Sequence, residues 1–230
     1  MQNSNTTQVA LFPIPNVVAF PGNDLPLHVF EPRYRKLIHD CIEAQRMVGV
    51  CHTVKAISTP VKKQSVEDML GSNQATYKPQ QIFSAGHCEI LETTSDGRII
   101  ANVAMSVRLQ IRDEVQSLPY RIVNCEPLSD TSELPATAQL TLEQDQALQR
   151  QIHKRLIDLI EQQTGANGQE DQAVANHLRD PAWLALSPCD YSFKIFQCIA
   201  FDADTMQHIL ELPSARERLD VFLALLGAAG

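Results

Sequence analysis

Four prolines divide the segment from Leu11 to Leu37 into pieces that are too short for a helix. They are Pro13, Pro15, Pro21 and Pro26. Each proline fixes φ and removes a backbone donor, so residues 17–20 and 25–30 are predicted to be short extended segments joined by tight turns. The start of the chain is therefore predicted to belong to a sheet.

The pattern changes to a helical one at Glu31. Glu31 places a carboxylate at a helix-cap position, and Pro32 follows where a first helical turn tolerates proline. Apolar residues then recur at helical spacing: Tyr34, Leu37, Ile38 and Cys41. We expect a helix from about Pro32 to about Ala44 that buries this stripe.

The next apolar segments have the composition and alternation of strands. Residues 9–12, 48–54, 82–93, 99–111 and 120–125 are the predicted strands, and Asp96-Gly97 is a hairpin signal. Apolar and polar residues alternate from Ile99 to Ile111, which is typical of a long antiparallel strand with one face in the core. The polar segment from Lys55 to Gln81 is predicted to be a mobile loop. Six or so strands with one helix favour a small antiparallel barrel.

Beyond residue 140 the apolar period becomes that of helices. Capping boxes are predicted at Thr141, Ser187 and Ser214, with Gln144, Asp190 and Glu217 three residues later. Four or five amphipathic helices indicate a bundle. The sequence thus predicts an α+β chain with a sheet domain at residues 1–128, a linker at 129–140 and a helical bundle at 141–230.

The charge distribution argues against nucleic acid as a partner. Net charge is -8, and residues 131–230 carry 7 Lys+Arg against 14 Asp+Glu. Such an acidic half repels phosphate backbones, and no large basic cluster offsets it. No apolar run reaches the ~20 residues needed to cross a bilayer, and the first residues show no apolar targeting segment. We therefore expect a cytoplasmic protein with neither nucleic acid nor a membrane as its partner.

The sequence predicts no catalytic, cofactor or metal site. The six cysteines form no C-x-x-C pair and are expected to be reduced and buried. Cys51-His52 and His87-Cys88 are candidate zinc ligands, but adjacent strand residues point to opposite faces, which disfavours a shared ion. No glycine begins a phosphate-binding G-x-x-x-x-G-K-[ST] motif. A binding protein is therefore favoured over an enzyme.

Two runs of the sequence resemble a known family. FPIPNVVAFPG and LPLHVFEPRYRKLI are similar to the opening of the Lon protease N-terminal domain family, the substrate-binding module of Lon that also occurs in small stand-alone proteins and in cereblon. Near the end of the chain, Leu210, Leu212 and the Glu217-Arg218-Leu219 run match the family pattern. The resemblance implies a PUA-like pseudo-barrel, and His87 and Met105 depart from the small residues usual in it.

The resemblance also implies a function without catalysis. Members of the family recognise unfolded or tagged polypeptide segments, so we expect a polypeptide-binding or adaptor module that works with a protease or chaperone. The expected peptide-binding residues are Phe20, Leu27, Phe30, Glu31, Arg33 and Tyr34. Glu31 and Arg33 have two interpretations, a charged pair lining a groove or a helix cap with an ion pair. A small-molecule-binding regulatory protein and an uncharacterised hydrolase are the alternative functions.

Overall fold

A computed structural model describes residues 6–56, 77–131, 138–162 and 168–228. The chain forms two compact units. The sheet unit comprises Met1–Leu128 and Phe201–Leu210, and the helical unit comprises Ser129–Ala200 and Glu211–Gly230. The predicted domain bounds divide the chain differently, because they assign residues 201–210 to the helices, and they stay a prediction.

Among the residues that the structure describes, the sheet unit contains eight strands and one helix before residue 128. The elements are β1 (Thr7–Pro13), β2 (Asp24–Val29), α1 (Pro32–Glu43), β3 (Val48–Cys51), β4 (Thr53–Ala56), β5 (Tyr77–Pro79), β6 (Ile82–Thr93), β7 (Ile99–Gln116) and β8 (Ile122–Pro127). Most of the predicted strands and the predicted helix are thus confirmed within a few residues. The stripe of α1 is buried, as its spacing predicts.

The sheet closes partly into a ring. Its strand order is β2-β7-β6-β3-β1-β8, and β8 also pairs with β7, so five strands form a closed circuit while β2 lies beside the first half of β7. The pairings are antiparallel except β1 with β3, which are parallel. The predicted antiparallel pseudo-barrel with one inserted helix is confirmed, apart from this one parallel pair.

Two details of the sheet differ from the prediction. Residues 48–54 do not form one strand, because His52 leaves the ladder and its Nδ1 accepts the Asn16 N–H at 3.0 Å. Residues 17–20 lie outside the strands, although Phe20 is only 1% exposed. This segment is apolar because it covers the core. Most of the loop predicted between Lys55 and Gln81 falls outside the described residues.

The longest alternating pattern in the sequence forms the strand β7. It runs to Gln116, and its inward residues lie in the core of the sheet unit. Opposite it, β6 shifts register between Ala85 and Gly86. At that shift a Cβ on Gly86 would lie 1.8 Å from the carbonyl oxygen of Ala104, so only glycine fits there.

In the part of the chain that the structure describes, six α-helices and one 3-10 turn (Ile195–Gln197) follow the sheet. The α-helices are α2 (Ala138–Gln162), α3 (Gly168–Leu178), α4 (Ala182–Ala185), α5 (Pro188–Lys194), α6 (Ala203–Glu211) and α7 (Ala215–Ala228). None of the helices that the structure describes is long and apolar enough to cross a membrane. Thr141 lies inside α2, so the capping box predicted there is wrong, and so is the helix start.

The other two predicted caps are confirmed. Ser187 Oγ accepts the N–H of Asp190 at 3.0 Å, and Ser214 Oγ accepts the N–H of Glu217 at 3.2 Å. The helix α6, in contrast, belongs to the sheet unit up to Leu210. Gln207 Nε2 donates to the carbonyl of Ile82 at 2.9 Å, within the sheet unit.

All six cysteines are free thiols, and Cys41, Cys51 and Cys125 are buried. Burial raises the pKa of Cys41 and of Cys125 to about 12. A thiol with so high a pKa carries almost no thiolate at neutral pH and is a poor nucleophile.

The helical unit contains a buried histidine. His153 in α2 is 5% exposed, its Nε2 donates to the carbonyl of Leu178 at 2.7 Å, and its Nδ1 lies 3.2 Å from the Tyr191 hydroxyl. Desolvation lowers the pKa of His153, because burial disfavours the charged ring. The neutral ring therefore joins three helical segments.

We expect the helical unit to lose stability as pH falls below about 6.5, the pKa of an unfolded histidine. Because the folded pKa is the lower one, the unfolded chain binds more protons in this range, with a slope of at most about 1.4 kcal/mol per pH unit. Urea unfolding between pH 5 and 7, followed by fluorescence of the single Trp183, measures it. His153→Gln should flatten the dependence; an unchanged slope in that variant would contradict the assignment.

Candidate functional site

A hollow of about 440 Å³ lies in the sheet unit between the end of β1, the strand β2 and the start of α1. We call it the first hollow. Its lining residues are Phe12, Pro13, Ile14, Pro15, Val17, Leu25, Pro26, Leu27, His28, Phe30, Glu31, Arg33, Tyr34 and Tyr77. Most of them are apolar, and most come from the proline-rich segment with which the sequence analysis began.

The prolines shape the walls of this hollow. The strand β1 ends at Pro13, and the chain turns at Asn16, whose φ of 61° lies in the left-handed region. The strand β2 is at the end of the strand order and pairs only with β7 among the described strands. Pro26 lacks an N–H that could join the β2–β7 ladder, so its nitrogen faces the open edge of β2. The hollow therefore lies beside a strand edge that a proline interrupts.

The floor of the first hollow is rigid and its margin is accessible. Phe12 and Tyr34 are buried, and their rings pack edge to face with centroids 4.2 Å apart. Val17, Leu25 and Phe30 are half-buried, so part of each side chain stays exposed. An apolar surface that is fixed below and open above can bury the side chain of a bound molecule.

Glu31 and Arg33 form an ion pair in the wall of the hollow. Arg33 Nε and one terminal nitrogen lie 3.0 and 2.9 Å from Glu31 Oε2, and each side chain is 11% exposed. Glu31 is the N-cap residue of α1, but its side chain makes no capping hydrogen bond. The side-chain cap is therefore wrong, whereas the ion pair, which belongs to both interpretations, is present. The Arg33 guanidinium also lies 4.6 Å from the Tyr34 ring centroid.

A second hollow of about 350 Å³ adjoins the first one. The two share Pro13, Arg33, Tyr34 and Tyr77 as lining residues. The other wall of the second hollow is the turn between β7 and β8, residues 117–121, together with Leu11. Together they make a groove whose first half is mostly apolar and whose second half is also lined by Arg121, while Arg33 lines both halves.

The structure brings most of the predicted binding residues together. Leu27, Phe30, Glu31, Arg33 and Tyr34 all line the first hollow. Phe20 does not line it and is 1% exposed, because its side chain belongs to the core. Sequence reasoning missed Tyr77, which lines both hollows. Tyr77 follows a long polar segment, and no local pattern signals that it returns to the start of the chain.

The lining residues offer little for covalent chemistry. Among its described lining residues there is neither serine nor cysteine, and the one histidine there, His28, lies on the exposed face of β2. Within the described residues no group of three or more His, Cys, Asp or Glu side chains is placed to hold a metal ion. Of the candidate zinc ligands, Cys51 is buried in the core and His52 Nδ1 accepts the Asn16 N–H. The arrangement is suited to binding.

Comparison with known proteins identifies the family. A family model described as the ATP-dependent protease La (LON) substrate-binding domain matches residues 8–227. The chain belongs to this family. The match includes both units, so the helical unit is part of the Lon substrate-binding domain and not a separate addition. No curated protein sequence matches the chain significantly.

Solved structures show the same fold. The N-terminal domain of Mycobacterium avium complex Lon protease has a TM-score of 0.65 at 13% identity, with 96% of this chain and 98% of that chain covered. A Lon N-terminal domain protein from Xanthomonas campestris has a TM-score of 0.52 at 18% identity, with 95% and 98% covered. The Lon substrate-binding fold is therefore maintained here by a very different sequence.

Proposed function

We propose that this chain is a non-catalytic module that binds unfolded or tagged polypeptide segments, and that it presents them to a protease or chaperone as an adaptor. The observation that carries the proposal is the apolar first hollow, open at its margin, in a fold whose family is defined by substrate binding in Lon. An unfolded polypeptide differs from a folded one chiefly in its exposed apolar side chains, and this hollow is suited to take one.

Pro26 favours one of two modes of peptide recognition. A peptide that adds to a sheet edge needs a row of free N–H and C=O groups on that edge. Pro26 removes a donor from the open edge of β2, so a ladder of backbone bonds there would be incomplete. Insertion of an apolar side chain into the first hollow needs no such ladder. We therefore propose that affinity comes from an inserted side chain.

Peptide binding should depend on Phe30. Phe30→Ala removes a half-buried aromatic wall of the first hollow, so we expect an about tenfold weaker affinity for an apolar peptide, since a buried aromatic is a typical anchor contact. Fluorescence anisotropy with a labelled Phe-Leu-containing decapeptide measures the affinity. Because Phe30 is only half-buried, the folded state should survive the change, as circular dichroism would verify.

Leu91→Ala is the matched control for this experiment. Leu91 in β6 is 60% exposed and does not line the hollow, so the variant should bind the peptide like the original protein. Equal losses in both variants, or no retention of the apolar peptide above a Ser-Gly peptide in the original protein, would refute the proposed function.

A small molecule is the second candidate occupant. The volume of the first hollow lies within the range of ~300–1,000 Å³ typical of small-molecule pockets. A thermal-shift screen against metabolites separates the two functions. A metabolite that raises the melting temperature and competes with the decapeptide would favour a ligand-binding regulatory protein.

A further inference from the structure

We propose that the second hollow binds the carboxylate of an acidic side chain located close to the apolar anchor in the same polypeptide. The inference rests on the proposed function, and it adds a sequence preference to it. The preferred segment would combine an apolar residue for the first hollow with Asp or Glu for the second.

Tyr34 provides the first reason. Its side chain is 93% buried, given an exposed fraction of 7%, and it lines both hollows. Phe12 and Arg33 fix the ring, but the hydroxyl has no hydrogen-bond partner among the residues that the structure describes. Because its oxygen is not fully buried, the hydroxyl can donate from the wall of the hollows to an oxygen of a bound molecule.

The charges of the second hollow provide the second reason. Arg33 and Arg121 line it, and the lining residues that the structure describes include no Asp or Glu. Glu31 and Glu114, which pair with these arginines, are not among those lining residues. Guanidinium N–H groups and a phenol O–H are all donors, and a carboxylate is a pure acceptor that matches them. The hollow therefore offers donors to a carboxylate.

The position of the two hollows fixes where the acid must be. They share four lining residues, so one bound chain reaches both. An extended polypeptide advances about 3.3–3.6 Å per residue, so an acid roughly two to four residues from the anchor falls within reach. The proposed preference is thus a short pattern of one apolar and one acidic residue in an extended segment.

The test compares amidated decapeptides that carry a Phe-Leu anchor and either Glu or Gln at two, three or four residues from it. The full chain should bind the Glu peptide about tenfold more tightly than the Gln peptide at one of these spacings, as a charge-assisted hydrogen bond predicts. Tyr34→Phe removes only the hydroxyl and should lower this ratio towards one. Arg112→Gln, which removes a half-exposed arginine outside both hollows, should leave the ratio unchanged.

The possible results distinguish failure of the carboxylate subsite from failure of polypeptide binding itself. Binding of Glu and Gln peptides with equal affinity at every spacing would overturn the carboxylate subsite and leave polypeptide binding intact. Failure of every peptide to bind would overturn both. A preference for a free C-terminal carboxylate over its amide, without a preference for Glu, would also overturn the proposal. The subsite would then bind the C-terminus of the peptide and not an acidic side chain.

Discussion

Replacing Gly86 with alanine should destabilise the sheet unit by about 3 kcal/mol or more, the upper range for overpacking in a core. The new Cβ would lie 1.8 Å from the Ala104 carbonyl oxygen and 2.9 Å from the Met105 Cα. These are backbone atoms, so a change of rotamer does not relieve the overlap. The long β6–β7 ladder would have to separate at its register shift.

Hydrogen exchange followed by mass spectrometry measures this effect in the sheet unit itself. We expect the peptides of β6 and β7 to exchange much faster in Gly86→Ala. Gly227→Ala is the control, because a Cβ at this helical position meets nothing within 4 Å. It should stabilise the protein by up to about 1 kcal/mol through helix propensity. Unchanged exchange in Gly86→Ala would contradict the packing described for this glycine.

Replacing Arg218 with methionine should destabilise the helical unit by about 3–5 kcal/mol, as expected when one partner of a buried ion pair is removed. The Arg218 side chain is fully buried, and its terminal nitrogens lie 2.9 and 2.6 Å from the two Asp130 carboxylate oxygens. Its Nε also donates to Ser192 Oγ at 2.8 Å, and its guanidinium lies 4.0 Å from the Phe193 ring centroid. The variant would leave the carboxylate of Asp130 without this partner.

Urea unfolding followed by Trp183 fluorescence reports on this unit. Arg179→Met is the control in the same unit, because Arg179 is 50% exposed and pairs with Glu161, whose side chain is 38% exposed. Exposed pairs contribute about 0–1 kcal/mol, so this variant should change stability little. If the two variants were equally stable, the burial of Arg218 would not determine the stability of the unit.

Much of the fold could be predicted because local patterns and tertiary packing agree in it. The stripe of α1 and the alternation of β7 are both buried as their periods indicate. The parallel pairing of β1 with β3 could not be predicted, because strand direction depends on the path of the chain between them. The packing of α6 in the sheet unit could not be predicted either. An amphipathic pattern shows which face of a helix is buried, but not which surface buries it.

The part of the site that could be predicted is the part formed by residues close together in the sequence. The proline-rich segment places Leu27, Phe30 and the start of α1 around one hollow, and all of these are close in sequence. Phe20 belongs to the same motif but is buried in the core, because a motif does not distinguish core residues from surface residues. Tyr77 and Arg121 come from distant segments, and only the closed sheet brings them to the groove.

Photo-crosslinking tests most directly whether the first hollow is where a polypeptide binds. A decapeptide with photo-leucine as its only apolar residue is incubated with the full chain, irradiated, and the crosslinks are mapped by mass spectrometry. We predict crosslinks to Leu25, Phe30 and Tyr77, which line the hollow, and their loss on competition with the unlabelled peptide. Crosslinks confined to the helical unit, or insensitive to competition, would contradict the account.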